Sequence, residues 1–114
     1  MTNRVDKVNS LLEHEIAVII QRDVFFQNVL VTLTHVEATA NLIDAKVFIS
    51  ALPEQKMDQV IEILRKNVYD IQQKINHKLK MRPIPKIIFV ADRKVSEAGK
   101  IEELLHKIKV DSGN

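Results

Sequence analysis

Lys74, Lys78, Lys80, Arg82 and Lys86 crowd a short stretch of the chain in which a helical pattern gives way to two prolines and a strand. Each carries a positive charge at neutral pH. Several such groups on one surface neutralise the phosphates of a polyanion and release its condensed counterions, giving strong, salt-sensitive binding without base reading. The crowding is regional. Residues 65–94 hold nine Lys or Arg against Asp70 and Asp92, a net of +7, and the rest of the chain carries −5, although the whole sums to only +2. Segregation of this kind points to one surface that meets a polyanion, with a merely solvated lysine-rich helix as the plain alternative. The candidate contacts are Arg65, Lys66, Lys74, His77, Lys78, Lys80, Arg82, Lys86, Arg93 and Lys94, with Arg4 and Lys7 at the rim.

Other chemistries find no matching constellation. The absence of cysteine removes disulfides, thiol catalysis and thiolate metal sites together. His14, His35, His77 and His106 are dispersed, and none pairs with an acid at a ligand spacing on one helix face. Gly99 and Gly113 are the only glycines, and neither lies in a loop that could cradle a phosphate. No hydroxyl has a nucleophile-base neighbourhood. Asp44 and Asp92 stand near strand ends, where turn formation or capping is the expected role. The reading is therefore of a non-enzyme with no metal, cofactor or small-molecule substrate. Among aromatics, Phe48 and Phe89 are assigned to the core, and Tyr69 is the one candidate for base stacking. Phe25 and Phe26 form an apolar patch that would serve a protein-protein adaptor, the rival reading from another class.

The elements that must position these charges follow from apolar spacing. Val5, Val8, Leu12, Ile16 and Ile19 recur at steps of three and four, predicting a helix over roughly 3–21. Two β-branched stretches predict strands near 28–37 and 43–51, joined through Glu37-Ala38-Thr39-Ala40-Asn41 as an antiparallel hairpin. Pro53 and Glu54 suit a helix start. From Met57 to Leu79 the apolar residues keep a helical period, with Lys66, Lys74, His77 and Lys80 opposite and Lys78 at the edge of the stripe. Pro83 and Pro85 end this helix, and KIIFVA is a third strand. It is expected to lie parallel to the first strand after a right-handed crossover. Ser96 would cap a short C-terminal helix burying Ile101, Leu104, Leu105 and Ile108. A small sheet with helices on one face is the economical packing.

Length, with 46% apolar and 28% charged residues, fits one globular domain. The longest apolar run, IAVII, is far short of the roughly 20 residues a bilayer crossing needs, and MTNRVDKVNS has no apolar signal core. A soluble cytoplasmic monomer is expected.

Three stretches together resemble the ribosome-binding factor A family over residues 4 to about 105: RV…LLEHEI at 4–16, NLIDAKVFIS at 41–50 and LKMRPIPKIIFVAD at 79–92. In the last, Lys80, Arg82, Pro85, Phe89 and Asp92 take the signature places. The resemblance implies an α+β, KH-type (type II-like) domain of order α-β-β-α(kink)α-β over 3–108, with a flexible tail at 109–114. It also implies binding to the small ribosomal subunit and its ribosomal RNA during late maturation, in rRNA processing and subunit biogenesis; a generic KH-like RNA chaperone is the alternative. The family's helix kink falls on Asn67, Val68 and Tyr69, where neither Ala nor Gly stands, so these residues favour a straighter helix. The arginine usual three residues later is Gln72, which shifts the expected footprint toward Lys74, Lys78 and Lys80.

Overall fold

A computed structural model describes residues 3–93. Helix α1, Arg4–Asp23, begins where the Asn3 side chain accepts a hydrogen bond from the Asp6 N–H at 2.8 Å, satisfying one of the donors a helix start leaves open. Its buried stripe comprises Val8, Leu12, Ile16, Ile19 and Ile20, with Glu15 among them. The stripe faces a three-stranded sheet of β1 (Leu30–Ala38), β2 (Asp44–Leu52) and β3 (Lys86–Ala91). On β2 the period-two alternation buries Ala45, Val47 and Ile49, and on β3 it buries Ile87 and Phe89. After a 3-10 turn at Glu54–Lys56, helix α2 (Met57–Lys78) lays Met57, Val60, Ile61, Leu64, Ile71 and Ile75 on the same layer. The outcome is an α+β, KH-like arrangement with both helices on one face of the sheet. The expected C-terminal helix after Ser96 and the 109–114 tail lie outside the described residues.

One expectation is corrected. β3 lies beside β2 and parallel to it, hence antiparallel to β1, in the order β1-β2-β3. A β-α-β crossover returns the chain parallel to the strand that feeds it, and the hairpin with β1 already occupies the other side of β2. At Asn67–Tyr69, where the resemblance implies a kink and the residues themselves favour a straighter helix, the helix continues without a break. α2 is one uninterrupted helix, and among the described residues only Asn28 and Leu42 have positive φ. Val68 packs against the core, and the Asn67 side-chain amide donates to the Ile63 carbonyl one turn back at 2.8 Å. A kink would lift the valine from its contacts.

The hairpin turn is held by hydroxyl and amide groups rather than glycine. The Thr39 N–H donates to the Asp44 carbonyl at 2.8 Å, and Asn41 Oδ1 accepts from the Ile43 N–H at 3.1 Å. Leu42 adopts φ 60°, a strained value for a residue with a branched side chain, but its side chain is buried in the core, which compensates. In β1 the register slips between Leu33 and His35, so Thr34 is the extra residue of a bulge.

Both sheet edges receive helix side chains. Along β1, Glu13 and Asn9 of α1 accept from the Val36 and Ala38 N–H groups at 3.1 and 2.8 Å. Along β3, the Gln72 amide behaves like a peptide group: Oε1 accepts from the Ile87 N–H at 2.8 Å and Nε2 donates to the Pro85 carbonyl at 3.2 Å. An arginine at 72 has no acceptor and could not do this. Gln72→Ala leaves a half-buried N–H unsatisfied, so a loss of about 1–2 kcal/mol is expected in denaturant unfolding. Gln72→Glu, which keeps the acceptor, should recover part of it.

Candidate nucleic-acid interface

The cations expected on one ridge are divided by α2 between its two flanks. On one flank α2 runs beside α1, and Val18, Ile19, Arg22, Lys74, His77 and Lys78 line a groove of about 320 Å³. Its floor is apolar and its rim is basic. Arg22 is the residue that sequence reasoning missed. It lies outside the basic stretch, on a helix whose apolar stripe was its only periodic signal, and only the packing of α1 against α2 brings it to Lys74.

Two carboxylates organise this groove. Asp23 Oδ2 accepts from Lys74 Nζ at 2.8 Å, while its Oδ1 accepts from Arg22 Nε at 3.0 Å. Glu15 Oε2 lies 2.9 Å from Lys78 Nζ. Glu15 is otherwise buried among the apolar residues of α1, and an isolated charge there would be costly. The lysine and arginine side chains nevertheless remain about half exposed, so a phosphate can reach them. Hydrogen bonds from Arg22 and Lys74 pull the Asp23 carboxyl down to about 2, from the ordinary 3.8. A depressed carboxylate contributes stability that is present above its unfolded pKa and lost as pH falls through the folded one. The stability advantage of the wild type over Asp23→Asn should therefore shrink between about pH 4 and pH 2, which paired unfolding curves across that window would read.

Beyond the end of α2 the basic surface continues. Lys80, Arg82 and Lys86 have no carboxylate within ion-pair distance among the described residues. Arg82 also shapes the turn it sits in. Its Nη1 donates to the Met81 and Leu79 carbonyls at 2.7 and 3.2 Å, and Arg4 Nη2 donates to the Arg82 carbonyl at 2.9 Å. Arg4, placed at the rim by the sequence, thus ties the start of α1 to this turn.

The opposite flank of α2 is different. Arg65 and Lys66 line a groove between α2 and β3 together with Asp58, Ile61, Glu62, Val90 and Ala91. Lys66 pairs with Glu62 at 3.3 Å, and Arg93 pairs with Asp58 at 3.2 Å and Glu54 at 3.5 Å. These cations are largely matched by neighbouring acids. Lys94 lies outside the described residues.

Of the aromatics, Phe89 is fully buried as expected, but Phe48 is not a core residue. It faces away from the helices, half-buried, with its ring stacked on His35 at 4.2 Å. The reason is parity: with Ala45, Val47 and Ile49 inward, residue 48 must point out. Thr34, projecting from the bulge, hydrogen-bonds Asp92 Oδ2 at 2.5 Å and the Phe48 carbonyl at 3.2 Å beside that stack. Tyr69 is 70% exposed on α2, and Phe25 is 81% exposed, whereas Phe26 packs partly against the core. Among the described residues no group of three potential metal ligands occurs, and no helix is long and apolar enough to cross a membrane.

Comparison with known proteins fits this architecture. The family model for ribosome-binding factor A matches residues 4–105. A ribosome-binding factor A from Chlorobaculum tepidum is 35% identical over 112 residues, covering 96% of this chain and 93% of that protein. The crystal structure of ribosome-binding factor A from Thermus thermophilus superposes with a TM-score of 0.66 at 17% identity, covering 79% of this chain and 97% of that one. A homology model of the Thermus thermophilus factor, fitted into a cryo-EM map of its complex with 30S, gives a TM-score of 0.62 at 19% identity, over 74% and 90% of the two chains. With a family match that spans nearly the whole sequence and a relative of this identity over more than nine-tenths of both chains, the chain belongs to the ribosome-binding factor A family.

Proposed function

We propose that this chain is a non-enzymatic assembly factor that acts as one KH-like domain, over residues 3–108, on the small ribosomal subunit in the cytoplasm. It docks through the phosphates of ribosomal RNA late in maturation, while rRNA processing and subunit biogenesis are completed. Family membership supports this reading, as does the 30S complex of the Thermus thermophilus relative. The observation that carries it is the α1–α2 groove, where Arg22, Lys74, His77 and Lys78 surround an apolar floor, with Lys80, Arg82 and Lys86 continuing the basic surface. The mechanism is occupancy: the factor holds a premature conformation of the RNA until neighbouring parts of the subunit are in place. Phosphate recognition of this type reads backbone and shape rather than sequence.

The test is co-sedimentation with purified small subunits at rising salt. Four phosphate contacts predict a loss of affinity of about 50- to 150-fold between 50 and 200 mM salt. The protein should travel with free small subunits and be excluded from intact ribosomes. Salt-insensitive association, or equal affinity for unrelated structured RNAs, would overturn the reading.

A further inference from the structure

The α1–α2 groove holds more than a phosphate track requires. Arg22, Lys74 and Lys78 line it, but Asp23 and Glu15 already pair with them. Three cations against two carboxylates leave a net of +1 with His77 neutral. Charge alone therefore gains less here than on Lys80, Arg82 and Lys86, which have no acid within ion-pair distance among the described residues. What sets the groove apart is its floor, where Val18 stays exposed beside the buried Ile19. A sugar-phosphate backbone has no use for an apolar floor.

Arg22 adds a flat surface to that floor. Its Nε and Nη2 donate to the two oxygens of Asp23 at 3.0 and 3.1 Å, the bidentate fork that fixes a guanidinium plane. The side chain is nevertheless largely exposed. With one edge taken by the carboxylate, the plane is what a ligand meets, and such a plane stacks on nucleic-acid bases. His77 presents a second planar ring, exposed on the α2 rim. Lys74 stands beside Asp23 at one end and Lys78 beside Glu15 at the other, one helical turn or about 6 Å apart along α2. This arrangement suits an uncharged planar ring with a phosphate on each side of it. A volume of about 320 Å³ admits one such unit and no run of stacked bases. Nor does it admit a partner helix, whose anchoring side chains recur over several turns.

We infer that the α1–α2 groove receives a single unstacked base of the RNA, seated on Val18 between Arg22 and His77, with its flanking phosphates on Lys74 and on Lys78 and Lys80. This site rests on the RNA-docking reading and adds a selectivity to it. The groove then favours RNA that can turn one nucleotide out of its stack, whatever the base, because its floor has no group to read a base edge.

The experiment measures binding of the full chain to two short RNA hairpins. One carries a single bulged nucleotide with a fluorescent adenine analogue as its base; the other is fully paired, with the analogue in its stem. The bulged hairpin should bind about tenfold more tightly, the scale of one stacking contact, and its fluorescence alone should change. Arg22→Lys keeps the charge but has no plane, and Val18→Asn replaces the apolar floor with an amide. Each should lower the ratio of the two affinities to about threefold or less, whereas a general loss of charge or of folded protein weakens both hairpins alike. Equal binding of the two hairpins, or a ratio that survives both substitutions, would overturn the base site. If small-subunit sedimentation keeps its salt dependence in that case, RNA docking stands without it. Failure of the hairpins and of small subunits alike to bind would overturn both. Movement of the Val18 and His77 amides by an acidic amphipathic peptide, and not by the bulged hairpin, would give the groove to protein and overturn the site as well.

Discussion

Neutralising Lys74, Lys78 and Lys80 together should lower affinity for the small subunit by roughly a hundredfold, at about 1 kcal/mol for each exposed contact. It should also flatten the dependence on salt by two to three contacts' worth of slope. The choice of replacement decides whether the result can be read. Charge reversal at 74 or 78 would replace an attractive pair with Asp23 or Glu15 by a repulsive one, and like charges facing each other there destabilise the fold itself. Glutamine avoids this at 74, where Asp23 keeps Arg22 as a partner. At 78 it strands Glu15, which is buried against the core of α1, so the triple variant belongs on a Glu15→Gln background, with Glu15→Gln alone as the control. Unchanged sedimentation of the folded variant would remove the α1–α2 groove as the RNA contact.

Phe89→Ala should cost about 3–5 kcal/mol, a large part of the 5–15 kcal/mol that stabilises a domain of this size. Phe89 is 1% exposed, in the strand that α2 covers, and truncating it removes apolar burial and leaves a cavity that the parallel pairing with β2 prevents from collapsing. At 4–8 °C per kcal/mol, the Tm should fall by at least about 12 °C. Phe25→Ala offers the contrast. The same deletion at a side chain 81% exposed should change stability by less than about 0.5 kcal/mol. Denaturant unfolding of the two variants would compare them directly. Equal losses would mean that Phe89 is not the packing centre of this layer.

Most of the architecture was legible because it rests on local repeats. Apolar residues every three or four positions define the buried faces of α1 and α2 without knowledge of what covers them. KIIFVA, bounded by Pro85 and Asp92, marked β3 to the residue. The alternation of Ala45, Val47 and Ile49 in β2 was equally present, and taking it strictly would have placed Phe48 outward. The straight course of α2 through Asn67–Tyr69 was foreshadowed by a β-branched valine where a kink needs a permissive residue.

The candidate site was legible only as an inventory of charges. Helical spacing places Lys74 and Lys78 near one another, but nothing local announces that Asp23, 51 positions earlier, will accept a hydrogen bond from Lys74. That contact exists because the buried stripes of two helices must cover the same sheet face, which sets their exposed flanks side by side. The same packing turned Arg65 and Lys66 toward β3 and Lys74 and Lys78 toward α1, so one basic stretch became a cationic groove and a charge-balanced one. Sequence alone determined which side chains bear charge and which face of each element is buried, since both follow from residue type and short-range period. Tertiary structure decided which charges remain available, since an ion pair depends on distances between elements far apart in the chain.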